Sequence, residues 1–241
     1  MAVKKMRLDR YLVHTGYGSR TEVQVLIKKK KVQVNDEVAT KGEKSIDPEK
    51  DVVSVYGEKV DYQPFYHFVM HKPAGVITAT EDPVHETVLD LLEVIDQNKE
   101  VCPVGRLDKD TEGLLILTSD GKLNHSLLSP KKHVDKVYYA KLTGCVDETD
   151  CEAFAAGIAI NAHTTCMPAQ LEILSAGEVS EVHITIKEGK FHQIKRMAHA
   201  IGKEVIYLKR IQMGGLMLPD DLEKGDYRPL TDEELRQLKG E

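Results

Sequence analysis

Apolar positions along the chain change period several times, and each change marks an element. Leu8, Tyr11 and Leu12 fall on one helical face, and Gly16-Tyr17-Gly18 ends that helix. Ser19-Arg20-Thr21-Glu22 has the spacing of a capping box, in which hydroxyl and carboxylate satisfy each other's free backbone donors. The helix it opens carries Val23, Leu26 and Ile27 and finishes in Lys28-Lys29-Lys30-Lys31. Val32-Gln33-Val34, an Asn35-Asp36 turn, Val38 and Val52 to Val55 then alternate as short strands. Residues 57–66 read as a linker.

Beyond the linker, Phe68-Val69-Met70 predicts a strand, and Lys72-Pro73-Ala74-Gly75 a turn into a second one at Val76 to Thr78. Thr87 is expected to cap a short helix bearing Val88, Leu91, Leu92 and Ile95. Leu114 to Leu117 is a wholly apolar run, which predicts a strand buried on both faces. A helix after Gly121 is expected to end near Pro130. Val137 to Leu142 and Val182, Ile184 and Ile186 predict strands, and Asp147 to Ala156 a helix. Phe191 to Ile201 is expected to be helical, Val205 to Met217 strand-rich, and Thr231 to cap a final helix. Strands come in runs and do not alternate with helices, so the fold class is α+β with a mixed or antiparallel sheet. The division expected is a small helix-rich domain over 1–60 and a larger one over 65–241.

Charge sharpens this division. The net charge of −6 argues against a nucleic-acid binder until the chain is split. Residues 1–60 hold 13 Lys and Arg against 9 Asp and Glu, a balance of +4; the rest holds 20 against 30, a balance of −10. A basic module on an acidic body is a pattern for nucleic-acid attachment, although lysines at a helix C-terminus are also favoured by its dipole. The four cysteines form no C-x-x-C pair and read as reduced thiols of a cytoplasmic protein. No apolar run approaches the ~20 residues needed to span a membrane, and the basic start lacks the apolar stretch of a secretory signal. The ten histidines have no metal-ligand spacing, and no phosphate-loop or dinucleotide motif occurs. Neither metal nor cofactor is expected. No long apolar surface stripe stands out, so a monomer is expected.

The candidate chemistry lies between Val104 and the apolar run, in Arg106-Leu107-Asp108-Lys109-Asp110-Thr111-Glu112. Taken alone, this loop is a solvated charge cluster, or a pair of carboxylates suited to glycosidase-like acid–base work. GRLDKDTEGLLILT resembles the signature of pseudouridine synthases: Gly-Arg-Leu-Asp, Asp-Thr-x-Gly, Leu-Leu-x-Leu-Thr. Lys72-Pro73-Ala74-Gly75, Lys136-Val137-Tyr138-Tyr139-Ala140 and Glu188-Gly189-Lys190-Phe191-His192-Gln193-Ile194-Lys195-Arg196-Met197 resemble three further motifs of that family, in its order. Arg7 to Leu12, Gly18 to Glu22 and Lys31 to Asn35 resemble an S4-type RNA-binding domain. His192 to Met197, Gly214-Gly215 and Gly225 to Leu230 are similar to the small-subunit ribosomal pseudouridine synthase A family, whose large-subunit relatives share the fold. Two positions depart from the pattern: His71 stands where Asn is frequent, and Ala198 where an aromatic is frequent, which is expected to loosen the helix packing.

The resemblance implies isomerisation of a uridine in 16S ribosomal RNA, naked or in a partly assembled particle; the alternatives are a synthase acting on large-subunit ribosomal RNA and a mainly RNA-binding ribosome-assembly factor. It makes Asp108 the catalytic carboxylate, Tyr138 the active-site tyrosine and Lys195 the cation that pairs with Asp108. Asp110 is expected to cap or pair locally, as support for its loop. Arg196 lies about 100° round the helix from Lys195 and is the poorer partner for Asp108. Arg106, Lys72, His192 and Arg196, with Arg20, Lys28, Lys29 and Lys30 of the basic module, are expected at the RNA. The base must be flipped from its stack. Asp108 then either attacks C1′ or removes a sugar proton.

Overall fold

The computed structural model describes residues 5–129, 132 and 134–241; Met1 to Lys4 and Pro130 therefore lie outside the described residues. The chain divides into two compact units, Met1–Tyr66 with Leu92–Val101, and His67–Leu91 with Cys102–Glu241.

In the first unit, helices Leu8–His14 and Arg20–Lys28 pack on a sheet of four antiparallel strands. The strand order is Glu37–Val38, Val32–Val34, Val53–Val55, Glu58–Lys59. The capping box forms: the Glu22 N–H donates to the Ser19 hydroxyl, and the Glu22 carboxylate accepts the Ser19 N–H at 2.7 Å. Leu8, Tyr11, Leu12, Val23 and Ile27 bury their predicted faces against Val32, Val34, Val53 and Val55.

The second unit is built on a mixed sheet of nine strands among the described residues. Its main path runs Gln170–Ser175, Val179–Ile186, Lys136–Thr143, Val205–Met213, Glu112–Thr118, His67–Lys72, Tyr227–Pro229. Every neighbouring pair on that path is antiparallel except Val205–Met213 beside Glu112–Thr118, which is parallel. All seven residues of Glu112–Thr118 are buried, as its continuous apolar run predicts. One core under this sheet joins Val69, Leu114 and Ile116 to Leu123, Leu127 and Leu238 of the flanking helices.

Three expectations of secondary structure change. Thr87 and Asp90 exchange the hydrogen bonds of a capping box, but only a turn follows, and the helix is confined to Val94–Gln97. The segment is divided between the units: Leu92–Val101 belongs to the first, whereas Val88 is buried in the second. Val76 to Thr78 forms no strand, only a bridge between Ile77 and Thr87. The helix expected from Phe191 begins at Gln193, because His192 is left-handed at φ 49°. Ala198 is fully buried, as is Met197 beside it.

Candidate active site

The loop carrying Asp108 is held by its own backbone. Lys72, the last residue of the strand His67–Lys72, has no exposed surface. Its ammonium donates to the carbonyl oxygens of Pro73 (2.9 Å), Asp108 (3.2 Å), Lys109 (3.5 Å) and Thr111 (2.9 Å). This overturns the expectation that Lys72 faces RNA: a side chain wrapped by four carbonyls cannot also reach a phosphate. Burial pushes its pKa down to about 8, against the pull of Asp110, Asp108 and Glu112. Thr78 holds the other side of the loop. Its buried hydroxyl donates to the Leu107 carbonyl at 2.8 Å and accepts the Leu107 N–H at 3.1 Å. The Gly75 N–H adds a bond to the Lys109 carbonyl at 2.8 Å. Gly113, at φ +104°, closes the loop onto the sheet, where a Cβ would run into the Arg210 backbone.

Lys195 approaches from the helix Gln193–Ala200. Its Nζ lies 3.1 Å from Asp108 Oδ2 and 2.6 Å from Asp110 Oδ1. Asp110 is thus not confined to bracing its own loop; it reaches Lys195 and shares it with Asp108. Burial alone lowers the Lys195 pKa, but hydrogen bonds to the two carboxylates outweigh it and leave the ammonium above the ordinary lysine value. Burial raises Asp110, and the bond to Lys195 reverses this, holding the carboxyl below its usual range. His192 Nε2 stands 3.7 Å from Asp108 Oδ1.

Asp108, His192 and Lys195 line one cleft, with Arg106, Tyr138, Lys190 and Leu208 in its wall. Tyr138 lies mid-strand on the buried face of Lys136–Thr143, 7% exposed. It is paired with Ile184 and Arg210 on the neighbouring strands. Arg106 is exposed at the cleft and makes no ion pair among the described residues. Arg196 turns away from Asp108; its guanidinium donates to the carbonyls of Phe191 and Ile160. Arg20, Lys28, Lys29 and Lys30 are exposed on the first unit.

Thr78 and Glu188 are not among the site residues expected from the sequence. Glu188 accepts the Met167 N–H at 2.9 Å and the Gln193 amide at 3.1 Å, and pairs with Lys190. It thereby sets the turn that delivers His192 and Lys195. A carboxylate five residues before Gln193 was the hint the sequence offered.

The loop carboxylate Asp108 thus pairs with Lys195 of a helix in the mixed-sheet unit, in a chain whose first 60 residues are basic. The RNA pseudouridylate synthase model matches residues 66–200, and the S4 domain model matches residues 6–53. The chain belongs to the RNA pseudouridylate synthase family and is a pseudouridine synthase, an isomerase, with an S4 RNA-binding domain ahead of the catalytic fold. It is 46% identical over 234 residues to an uncharacterized RNA pseudouridine synthase, YtzG, of Bacillus subtilis (strain 168), covering 97% of this chain and 98% of the relative. Ribosomal small subunit pseudouridine synthase A of Escherichia coli (strain K12) is 36% identical, covering 97% of this chain and all of the relative. A crystal structure of a pseudouridylate synthase superposes with a TM-score of 0.68 at 33% identity, over 97% of this chain and 99% of that one. No helix among the described residues is long and apolar enough to cross a membrane.

Proposed function

We propose that this pseudouridine synthase isomerises a uridine of small-subunit (16S) ribosomal RNA, with Asp108 as the catalytic carboxylate. The observation that carries the role of Asp108 is its ion pair with Lys195 at 3.1 Å inside a cleft also lined by Tyr138. The substrate rests on near full-length similarity to ribosomal small subunit pseudouridine synthases A.

The reaction breaks N1–C1′, turns the uracil and forms C5–C1′; N1 gains a proton and C5 loses one. It is redox-neutral. Flipping the uridine costs a few kcal/mol, which cleft contacts repay. Lys195, 3.1 Å from Asp108 Oδ2, orients that carboxylate in the cleft. From that carboxylate two routes start: attack on C1′ to give a covalent sugar ester, or removal of a C2′ proton to give a glycal. Tyr138 lies in the cleft wall, where its ring stacks on the freed base and its hydroxyl serves the proton leaving C5. Arg106, His192 and Arg196 meet the RNA around the cleft, and Arg20 and Lys28 to Lys30 take phosphates elsewhere along it.

The test is tritium release from C5-labelled 16S transcripts and small-subunit particles. Asp108→Asn should abolish release and leave RNA affinity within about threefold, since neutralising one carboxylate removes chemistry, not attachment. Turnover within tenfold of wild type removes Asp108 from the role. Release from 23S transcripts alone overturns the small-subunit assignment.

A further inference from the structure

Phe191 is 76% exposed, the second-largest exposure among the exposed large apolar side chains of the described residues. A single exposed apolar residue is ordinary on a protein surface. This one is set apart by what lies behind it. Its ring stacks on the His192 imidazole, centroids 3.8 Å apart and planes 18° from parallel. His192 holds this position in the left-handed region, at φ 49° and ψ 37°, a strained conformation for a side chain of its type. The same imidazole reaches within 3.7 Å of Asp108. One aromatic pair therefore runs from the catalytic carboxylate out to solvent.

The turn beneath it is not a loose loop. The Lys190 N–H donates to Gln193 Oε1 at 2.9 Å, Gln193 is buried against Glu188, and the Arg196 guanidinium holds the Phe191 carbonyl. The ring is thus held in place with its outer face open, beside a cleft whose wall carries the cations Arg106 and Lys190. Burying this ring in the second unit's own core would stabilise the fold, and the chain does not do so.

We infer that the Phe191–His192 pair is a stacking platform for the nucleobase next to the flipped uridine. Taking a uridine out of a strand leaves its neighbour without a stacking partner, and an aromatic face at the mouth of the cleft supplies one. Every base offers a π-face, so the platform positions the strand without choosing its sequence. Phe191 is a positioning residue: it acts on binding, and the chemistry stays with Asp108. The inference rests on the proposed function above.

The test compares wild type, Phe191→Ala, Phe191→Leu and Phe191→Tyr as full chains, on an RNA from which wild type releases tritium. Transcripts carry an abasic residue immediately 5′ or immediately 3′ of the target. Phe191→Ala and Phe191→Leu should raise KM about tenfold or more, with kcat within threefold, and Phe191→Tyr should restore KM. One of the two abasic transcripts should raise KM similarly for wild type and leave Phe191→Ala no worse than on intact RNA. Melting temperatures should not change, since the ring is exposed. Wild-type KM in Phe191→Ala, or additive losses with both abasic transcripts, overturns the platform while leaving the function intact. A fall in kcat alone also overturns it, because Phe191 would then act through His192 on Asp108. No tritium release by wild type from any labelled RNA overturns the proposed function and this inference with it.

Discussion

At the scale of the residue, Lys72 carries a pH-dependent consequence. Its ammonium has three protons for four carbonyl acceptors, three of them in the loop carrying Asp108. In the folded chain it loses its charge near pH 8, whereas the unfolded lysine keeps it to about 10.5. Between those values the unfolded state binds more protons, so this group's contribution to stability rises with pH; below about 8 the cost of burying the charge is fully present. The loop fares oppositely. A neutral amine has one donor fewer and turns a lone pair toward carbonyl oxygens. Wild-type kcat should therefore fall as pH rises through about 8, while the melting temperature does not fall with it. Lys72→Met should lower kcat on the order of a hundredfold at pH 7, since a loop displaced by about an ångström misplaces Asp108. It should show no further alkaline loss. A pH–rate profile of both proteins checks this, and a wild-type profile flat from pH 7 to 9.5 refutes it.

At the scale of the element, the C-terminal helix Asp232–Lys239 is tied to the sheet by one cation. Arg228, on the edge strand Tyr227–Pro229, pairs with Glu234 at 2.8 Å and with Asp221 at 2.8 Å. Glu234 also accepts the Thr231 N–H in the helix's capping box, and Leu238 is buried in the core. The bond from Arg228, aided by that cap, holds the Glu234 carboxyl below its usual range. A depressed carboxylate stabilises the fold above its unfolded pKa, near 4.5, and that stabilisation disappears as pH falls through the folded value. Glu234→Gln should cost about 1–2 kcal/mol at pH 7, mostly through the charge-assisted bonds, and progressively less below pH 4. Urea titrations at pH 7 and pH 3.5 test this, and equal losses at both would assign the effect to packing. This helix was legible, because Thr231 and Glu234 announce its cap locally. So was the strand Glu112–Thr118, whose apolar run admits only burial. Elements settled by distant partners were not. Thr87 and Asp90 make a helix-opening turn, but from Leu92 the chain belongs to the other compact unit. Lys72 beside a Pro-x-Gly turn looks like a phosphate ligand until its burial is known. Asp108 and Lys195 were readable from motifs; the sharing of Lys195 with Asp110 depends on a side-chain geometry that spacing does not encode.

At the scale of the whole molecule, charge is divided between the parts of the chain. A net −6 repels polyanions overall, yet residues 1–60 hold +4. Lys28, Lys29 and Lys30 end the helix Arg20–Lys28 and lie exposed without acidic partners among the described residues. Two explanations compete. As cations at a helix C-terminus they stabilise it by about 0.3–1 kcal/mol each, and salt screens the effect. As phosphate ligands they release counterions, and log Kobs falls with log[salt] by about 0.7–0.9 per contact. The triple change Lys28→Gln, Lys29→Gln, Lys30→Gln separates them. Phosphate contact predicts RNA affinity about a hundredfold weaker near 100 mM salt, with a slope shallower by about 2–3. The helix-terminus explanation predicts an unchanged slope and a lower melting temperature. Binding must be measured from 50 to 300 mM salt on RNA with and without the target uridine. Loss on both RNAs alike would mark the contacts as sequence-independent, leaving the choice of uridine to the cleft around Asp108.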